Sequence, residues 1–326
     1  MLRGGLLWLI LTVPVFQALG QTSQTAFQFV KQSSFTRLSG LGGVNLTSTT
    51  DPLFFLQNPA SLDSTNENIG SFHYLNFPGG INWGTAGYQW APEFGGQFAI
   101  GLQFVSYGTF DGFDQFGIST GEFSALEFNL QAGYARKRGV FTYGASIKLL
   151  GSFLESYQAY ALVFDFGVNY KHPVEDFRLG MTVRNLGLSL GTYLPDQKLR
   201  LPQDVRFGAS FKPKYMPLRF HWTLRNLNST EQNLEQVEGF GRQAFEKMVW
   251  GVEILPAETV SLMVGYNQLI RNQFTGNSGA AAAGFSGGFA FRVKQFEFSY
   301  SRAFYNVAGA SNLFGISTNF INRRAF

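Results

Sequence analysis

From residue 69 onward the chain alternates between apolar and polar positions. Over 218–225, Leu218, Phe220, Trp222 and Leu224 share one parity, and Arg219, His221, Thr223 and Arg225 the other. Leu126, Phe128, Leu130 and Ala132 oppose Glu127, Asn129 and Gln131 in the same way. A β-strand turns successive side chains to opposite faces, so each such segment has one apolar and one polar side. The pattern predicts strands at 69–77, 80–90, 96–108, 122–135, 140–150, 158–171, 177–190, 204–212, 217–226, 247–255, 259–269, 281–293, 295–305 and 311–320. Each is long enough to cross a bilayer when tilted. Lipid cannot hydrogen-bond open peptide groups, so strands span it only as a closed ring. The expected class is all-β: a transmembrane antiparallel β-barrel of about 14 strands over residues 69–320, apolar outside and lined by water or a plug within.

The connections fit such a ring. Short turns are expected at 91–95, 136–139, 172–176, 212–217, 256–258 and near Lys294. Longer ones alternate with them at 109–121, 151–157, 191–203, 227–246 and 270–280, with Pro78-Gly79 a short exception. An even strand number leaves both ends in the periplasm, with short turns there and longer loops outside. Arg302 shares the apolar parity of Phe296, Phe298 and Tyr300 and is expected near the outer rim, where a lipid-facing charge costs less. Residues 279–288 hold four alanines and four glycines, a weak strand that bends or becomes loop.

Composition sharpens this. Charged residues are 14% of the chain, short of the roughly 25% of a soluble domain. Phe at 36 and Gly at 38 are both abundant, as lipid-facing rings and crowded strand contacts require. There is no cysteine, hence no disulfide and no thiolate metal site. A net charge of +4, scattered except at Arg136-Lys137-Arg138 and Arg323-Arg324, speaks against nucleic acid. Arg3, the apolar run Leu6 to Phe16, and Ala18 and Gly20 have the layout of a signal peptide over 1–20, removed before Gln21. With strands following and no later membrane helix, this points to a Gram-negative outer membrane.

Residues 21–68 do not alternate and are expected to form a hatch inside the barrel. They carry Arg37-Leu38-Ser39-Gly40-Leu41-Gly42-Gly43-Val44, Asp51-Pro52 and Gln57-Asn58-Pro59-Ala60-Ser61-Leu62. Each dipeptide alone is an ordinary turn signal. Together they resemble the N-terminal hatch of the long-chain fatty-acid transporter (FadL) family, whose fourteen-stranded barrels are plugged by a segment with an Asn-Pro-Ala motif. The resemblance assigns Gly42, Gly43, Asn58, Pro59 and Ala60 to the hatch motif. Ala26-Phe27-Gln28-Phe29-Val30, Tyr107-Gly108-Thr109-Phe110-Asp111, Gly121-Glu122-Phe123-Ser124-Ala125, Leu154-Glu155-Ser156-Tyr157 and Val183-Arg184-Asn185-Leu186-Gly187 resemble the PorQ-type branch. That branch belongs to the type IX secretion system of Bacteroidetes. The resemblance implies a place in its cell-surface attachment complex, with PorZ, which recognises anionic lipopolysaccharide, and with PorU and PorV-like proteins as partners.

Catalysis needs a nucleophile within reach of a base. His73, His172 and His221 are scattered over a strand, an inner turn and an inward face, so structural roles are expected, with no enzyme activity, no metal and no cofactor. Inward charges, Glu127, Asp165, Arg219, Arg225, Glu253 and Glu297, are expected to pair with one another or with the hatch, as desolvated charges must. Ser229 with Gln232 forms a capping box, and Leu234, Val237, Gly241, Ala244 and Met248 recur at helical spacing, which predicts a short amphipathic helix on the outer surface. Candidate partner-binding residues are Phe110, Asp111 and Phe113 in one outer loop and Leu234, Val237 and Phe240 in another. The last strand ends at Phe320, with 321–326 as a tail; either Phe320 or Phe326 is the aromatic end read by the insertion machinery.

The expected role is therefore an outer-membrane anchor holding a surface partner. The alternative is uptake of hydrophobic small molecules. Uptake predicts an apolar pocket between hatch and wall and a lateral opening, with Gly101 permitting a kink in the third strand; an unbroken wall and a lumen packed with polar pairs argue against it.

Overall fold

The computed structural model describes residues 25–77, 79–193, 199–228, 240–274, 282–306 and 309–320. Fourteen antiparallel strands close into one barrel. They are β1 (Ile69–Phe77), β2 (Ile81–Trp90), β3 (Gln97–Phe113), β4 (Ser119–Arg138), β5 (Phe141–Leu154), β6 (Tyr157–Lys171), β7 (Asp176–Gly191), β8 (Asp204–Lys212), β9 (Leu218–Leu224), β10 (Met248–Ala257), β11 (Val260–Asn267), β12 (Phe285–Val293), β13 (Phe296–Asn306) and β14 (Gly309–Asn319). Neighbours in sequence are neighbours in space, and the ring closes where β1 pairs with β14 from Ile69↔Asn319 to Asn76↔Asn312. Among the described residues no helix is long and apolar enough to cross a membrane.

The alternation is realised as an outside and an inside. Phe72, Ile100, Leu102, Phe104, Leu130, Ile147, Phe164, Phe289 and Phe314 are exposed on the outer wall, while their strand neighbours His73, Gln103, Gln131, Lys148 and Asp165 are buried. An outer surface of this kind is stable only against hydrocarbon. Tyr88, Trp90, Phe98 and Tyr134 pack in series near the inner turns, the position of an interfacial aromatic girdle. Arg302 is exposed on the outer wall in the later half of β13, its guanidinium 5.3 Å from the ring of Phe304, which offsets part of the cost of a charge there.

Two expected outer loops are corrected. Residues 109–121 are mostly strand: β3 and β4 continue as a hairpin through Thr109↔Ser124 to Phe113↔Ser119. Phe110, Asp111 and Phe113 therefore stand on a strand, and only 114–118 form the turn. The 151–157 loop contracts to Glu155-Ser156 between β5 and β6, with Glu155 at φ 55. At 279–288, strand begins only at Phe285. The amphipathic helix is partly visible as α1 (Phe240–Glu246), beside α2 (Gln268–Phe274). Leu234, Val237, the signal peptide and the 321–326 tail lie outside the described residues, as does the side chain of Phe240.

Candidate functional site: the plugged lumen

The lumen holds the hatch, residues 25–68. A five-residue helix (Thr36–Gly40) and short 3-10 turns at Pro52–Leu56 and Pro59–Ser61 fold back on one another, with Phe35, Leu38, Leu53, Phe54, Phe55, Leu56 and Leu62 as a small core. Proline opens both 3-10 turns and a preceding polar side chain caps each: Asp51 accepts from the Leu53 N–H at 2.8 Å, and Asn58 from the Ala60 N–H at 3.0 Å. Both devices satisfy amides that the turn leaves free.

The motif residues are where the hatch meets the wall. Gly42 and Gly43 have φ of 91° and 86°, a backbone that side-chain-bearing residues rarely adopt. The Gly42 amide donates to Ser286 Oγ at 3.1 Å, and Asn267 Nδ2 donates to the Gly42 carbonyl at 2.9 Å, so this turn is stitched to β11 and β12. Asn58 Nδ2 donates to Asn169 Oδ1 on β6 at 2.8 Å, and Asn169 Nδ2 returns a bond to the Ala60 carbonyl at 3.0 Å. Pro59 and Ala60 lie so close to Gly144, and Asn58 to Gly167, that a Cβ at either wall glycine would collide with the hatch. The Asn-Pro-Ala segment thus fits a notch made by absent side chains.

Around these contacts the inward charges are paired. Arg37 spans β10, β11 and β13: Nη1 reaches Glu253 at 3.3 Å and Ser261 at 3.1 Å, and Nη2 reaches Glu297 at 2.8 Å. Arg219 bridges Glu253 and Asp176 at 3.3 and 2.9 Å. Deeper in, Gln57 Oε1 accepts from both Arg184 at 3.2 Å and Arg206 at 2.6 Å. Asp165 pairs with Lys148 at 2.6 Å and with Arg184 at 3.5 Å, and Asp204 pairs with Arg206. Glu127 accepts from the Tyr107 hydroxyl. A bulge makes room here: the β6–β7 register shifts between Phe164 and Phe166, and Asn185 at φ 58 places its side chain on Lys148 and on the Pro202 carbonyl.

The three histidines hold structure. His73 Nδ1 accepts from the Thr36 N–H at 3.3 Å, which leaves Nε2 to face Asp51 at 3.4 Å. His221 lies 3.4 Å from Glu253, and His172 Nδ1 accepts from the Val174 and Glu175 amides of its turn. Burial opposes ionisation of Asp51, but the His73 ring facing it and the hydrogen bond from the Leu53 amide hold its carboxyl below the usual range.

One feature departs from the expected polar interior. The inward rows change character toward the outer end: Ser71 and His73 give way to Leu75, Gln103 to Val105, Lys148 to Leu150, and Asp165 to Val163 and Ala161. With Trp83 and Leu313 they line an apolar chamber, which the hatch's own Ala26, Phe27, Phe29 and Val30 fill. Phe29 lies against Trp83 with ring centroids 6.1 Å apart. A parallel bridge Thr25↔Arg200 and the bond from the Ala26 amide to the Arg200 carbonyl, 3.1 Å, hold the segment at the outer mouth. Alternation within one strand cannot show this chamber, because it depends on which inward residues share a height around the ring.

Among the described residues the ring of strands beside it is closed. β3 pairs without interruption from Phe98 to Ser106 on both sides of Gly101, and Gly101 makes room for Phe55 rather than kinking. Two cavities between hatch and wall lie at the inner mouth, about 340 and 310 Å³, and present Arg37, Arg178, Arg219 and Glu297, and Arg136, Lys137 and Asn169.

No family model and no curated protein matches the chain. Solved structures do. The toluene transporter TodX of Pseudomonas putida superposes with a TM-score of 0.56 at 11% identity, covering 89% of this chain and 98% of that one. A FadL homologue of Pseudomonas aeruginosa gives 0.50 at 12%, covering 88% and 98%. At such identities the likeness concerns the fold. The chain is a closed, fourteen-stranded, all-antiparallel barrel whose fold is similar to that of these two proteins.

Proposed function

We propose that this barrel is an outer-membrane anchor of the type IX secretion attachment complex, fixed in the membrane and holding a PorZ-like surface partner by its outer hairpins. The observation that carries the reading is the filled lumen: apolar hatch residues occupy the outer half, paired charges the inner half, and the wall is continuous. A barrel so packed offers position rather than passage. The sequence motifs that resemble the PorQ-type branch supply the choice of complex, with PorU and PorV-like proteins beside it and lipopolysaccharide around it. Co-purification from native outer membranes tests this. Recovery of secretion components with the tagged protein supports it, and recovery of none removes it.

The second reading is uptake of an apolar small molecule, and the comparisons taken alone favour it. Among the similar structures are a toluene transporter and a monoaromatic hydrocarbon channel. The chamber of Trp83, Val105, Leu150 and Val163 is apolar enough to hold such a molecule once Phe27 and Phe29 leave it. Faster toluene entry into cells or liposomes carrying the protein, abolished by tethering the N-terminal segment in place, would establish this reading over the first.

A further inference from the structure

The β3–β4 hairpin rises past its neighbours. β2 pairs with β3 only as far as Ser106, and β5 with β4 only as far as Ala125↔Leu154, so among the described residues Tyr107–Phe113 and Ser119–Phe123 pair with each other and leave their outer edges without a strand partner. An open edge presents a row of unpaired amides and carbonyls, a template that proteins ordinarily cover or blunt with lysine or proline. Neither residue occurs between 101 and 135. The tip is ordered, since the Asp114 carboxylate accepts from the Phe116 and Ile118 amides at 2.8 and 2.9 Å.

The two faces of the hairpin differ. Toward the mouth, Phe110 and Phe123 stack with centroids 5.4 Å apart over a mainly apolar groove of about 400 Å³ that Leu154, Phe153 and Tyr193 complete, with Glu127 and Ser152 also on its lining. Away from it, Asp111 and Glu122 stand directly opposite each other, both exposed. Like charges at cross-strand positions are destabilising. No Lys or Arg occurs from 101 to 135 or from 149 to 170, whereas Asp111, Asp114, Glu122 and Glu155 do, so the surface around both hairpins is acidic.

We propose that the free edge of β4 at Ser119–Phe123 is a strand-addition site for an extended segment of a surface protein with alternating apolar and basic residues. This rests on the anchor reading and names the chemistry of the partner. A strand laid there directs alternate side chains to the groove and to the Asp111–Glu122 pair, because its period is two. Anionic polysaccharide is repelled by the same carboxylates.

The test uses the full chain in neutral-lipid nanodiscs and a short labelled peptide of alternating valine and lysine. Saturable binding is expected, weakened about fivefold by Asp111→Asn with Glu122→Gln, as loss of exposed ion pairs implies. A peptide N-methylated on alternate residues cannot complete the ladder and is expected not to bind. No saturable binding, or equal binding by the methylated or a valine–glutamate peptide, overturns the inference. Co-purification separates it from the reading beneath. If the wild type and the Asp111→Lys, Glu122→Lys variant recover the surface partner equally, the anchor stands and the strand-addition site falls. Recovery by the wild type alone supports both. Recovery by neither removes the anchor, and the peptide measurement still decides the site.

Discussion

Arg37 Nη2 lies 2.8 Å from Glu297 Oε1, joining the hatch to β13 across 260 positions of chain. The same guanidinium reaches Glu253, so a single side chain spans carboxylates from two different strands. Replacing it with a neutral residue leaves two carboxylates facing the hatch and removes its main charged tether. Arg37→Ala should weaken hatch docking by roughly 3 kcal/mol while the ring of strands persists. Planar-bilayer recordings should show higher leak conductance, with resistance to detergent unfolding retained; Arg302→Gln on the lipid face should leave conductance unchanged.

The Asn-Pro-Ala turn depends on side chains that are missing. Gly144→Val places atoms where Pro59 and Ala60 now sit. Overpacking of this kind costs about 1–3 kcal/mol, and the turn must lift from β5. Proteolysis of the hatch in intact barrels should accelerate, whereas Gly241→Ala, at a position with open space around it, should behave as wild type.

Phe29 is buried in the chamber against Trp83. Phe29→Ala should cost about 3–4 kcal/mol of local stability and leave an apolar void. Thermal unfolding followed by circular dichroism should shift downward with strand content unchanged before the transition. An unaltered transition would mean that the segment does not occupy the chamber in solution.

Asp51 contributes to the acid dependence of the hatch. Its folded carboxyl titrates below the ordinary value of about 3.9. A depressed carboxylate contributes stability that is present above the unfolded value and is lost as pH falls through the folded one. Protease susceptibility of the hatch should therefore stay flat from neutral pH down to about 4 and rise below it, and Asp51→Asn should flatten that acid limb.

How much of this was legible in the sequence follows from what each part depends on. Strand parity could be read because hydrocarbon demands apolar residues at every second position; Phe220, Trp222 and Leu224 pointed outward and His221 inward as expected. Gly42, Asn58 and Ala60 contact the wall, with partners that their residue types alone do not specify. The reach of β3 and β4 could not be read: Gly112, Gly117, Gly121, Asp111 and Asp114 have the composition of a loop, and pairing between the two strands overrides it. Nor could the grip of Arg184 and Arg206 on Gln57, whose partners lie 127 and 149 positions away. The apolar chamber was hidden for a related reason, since Leu75, Leu150 and Leu313 meet only once fourteen strands are in register.

The seam between β1 and β14 bears on the order of assembly. The hatch precedes β1, and its first described residues are fastened to Arg200 at the opposite end of the lumen from Ile69. A finished ring would have to admit that folded segment through a mouth crowded with charged side chains. The simpler route is that the nascent sheet curls around the segment as a template, and the first and last strands zip only when it is already inside. Closure then locks in an object the barrel was built around, as staves are drawn tight on a form.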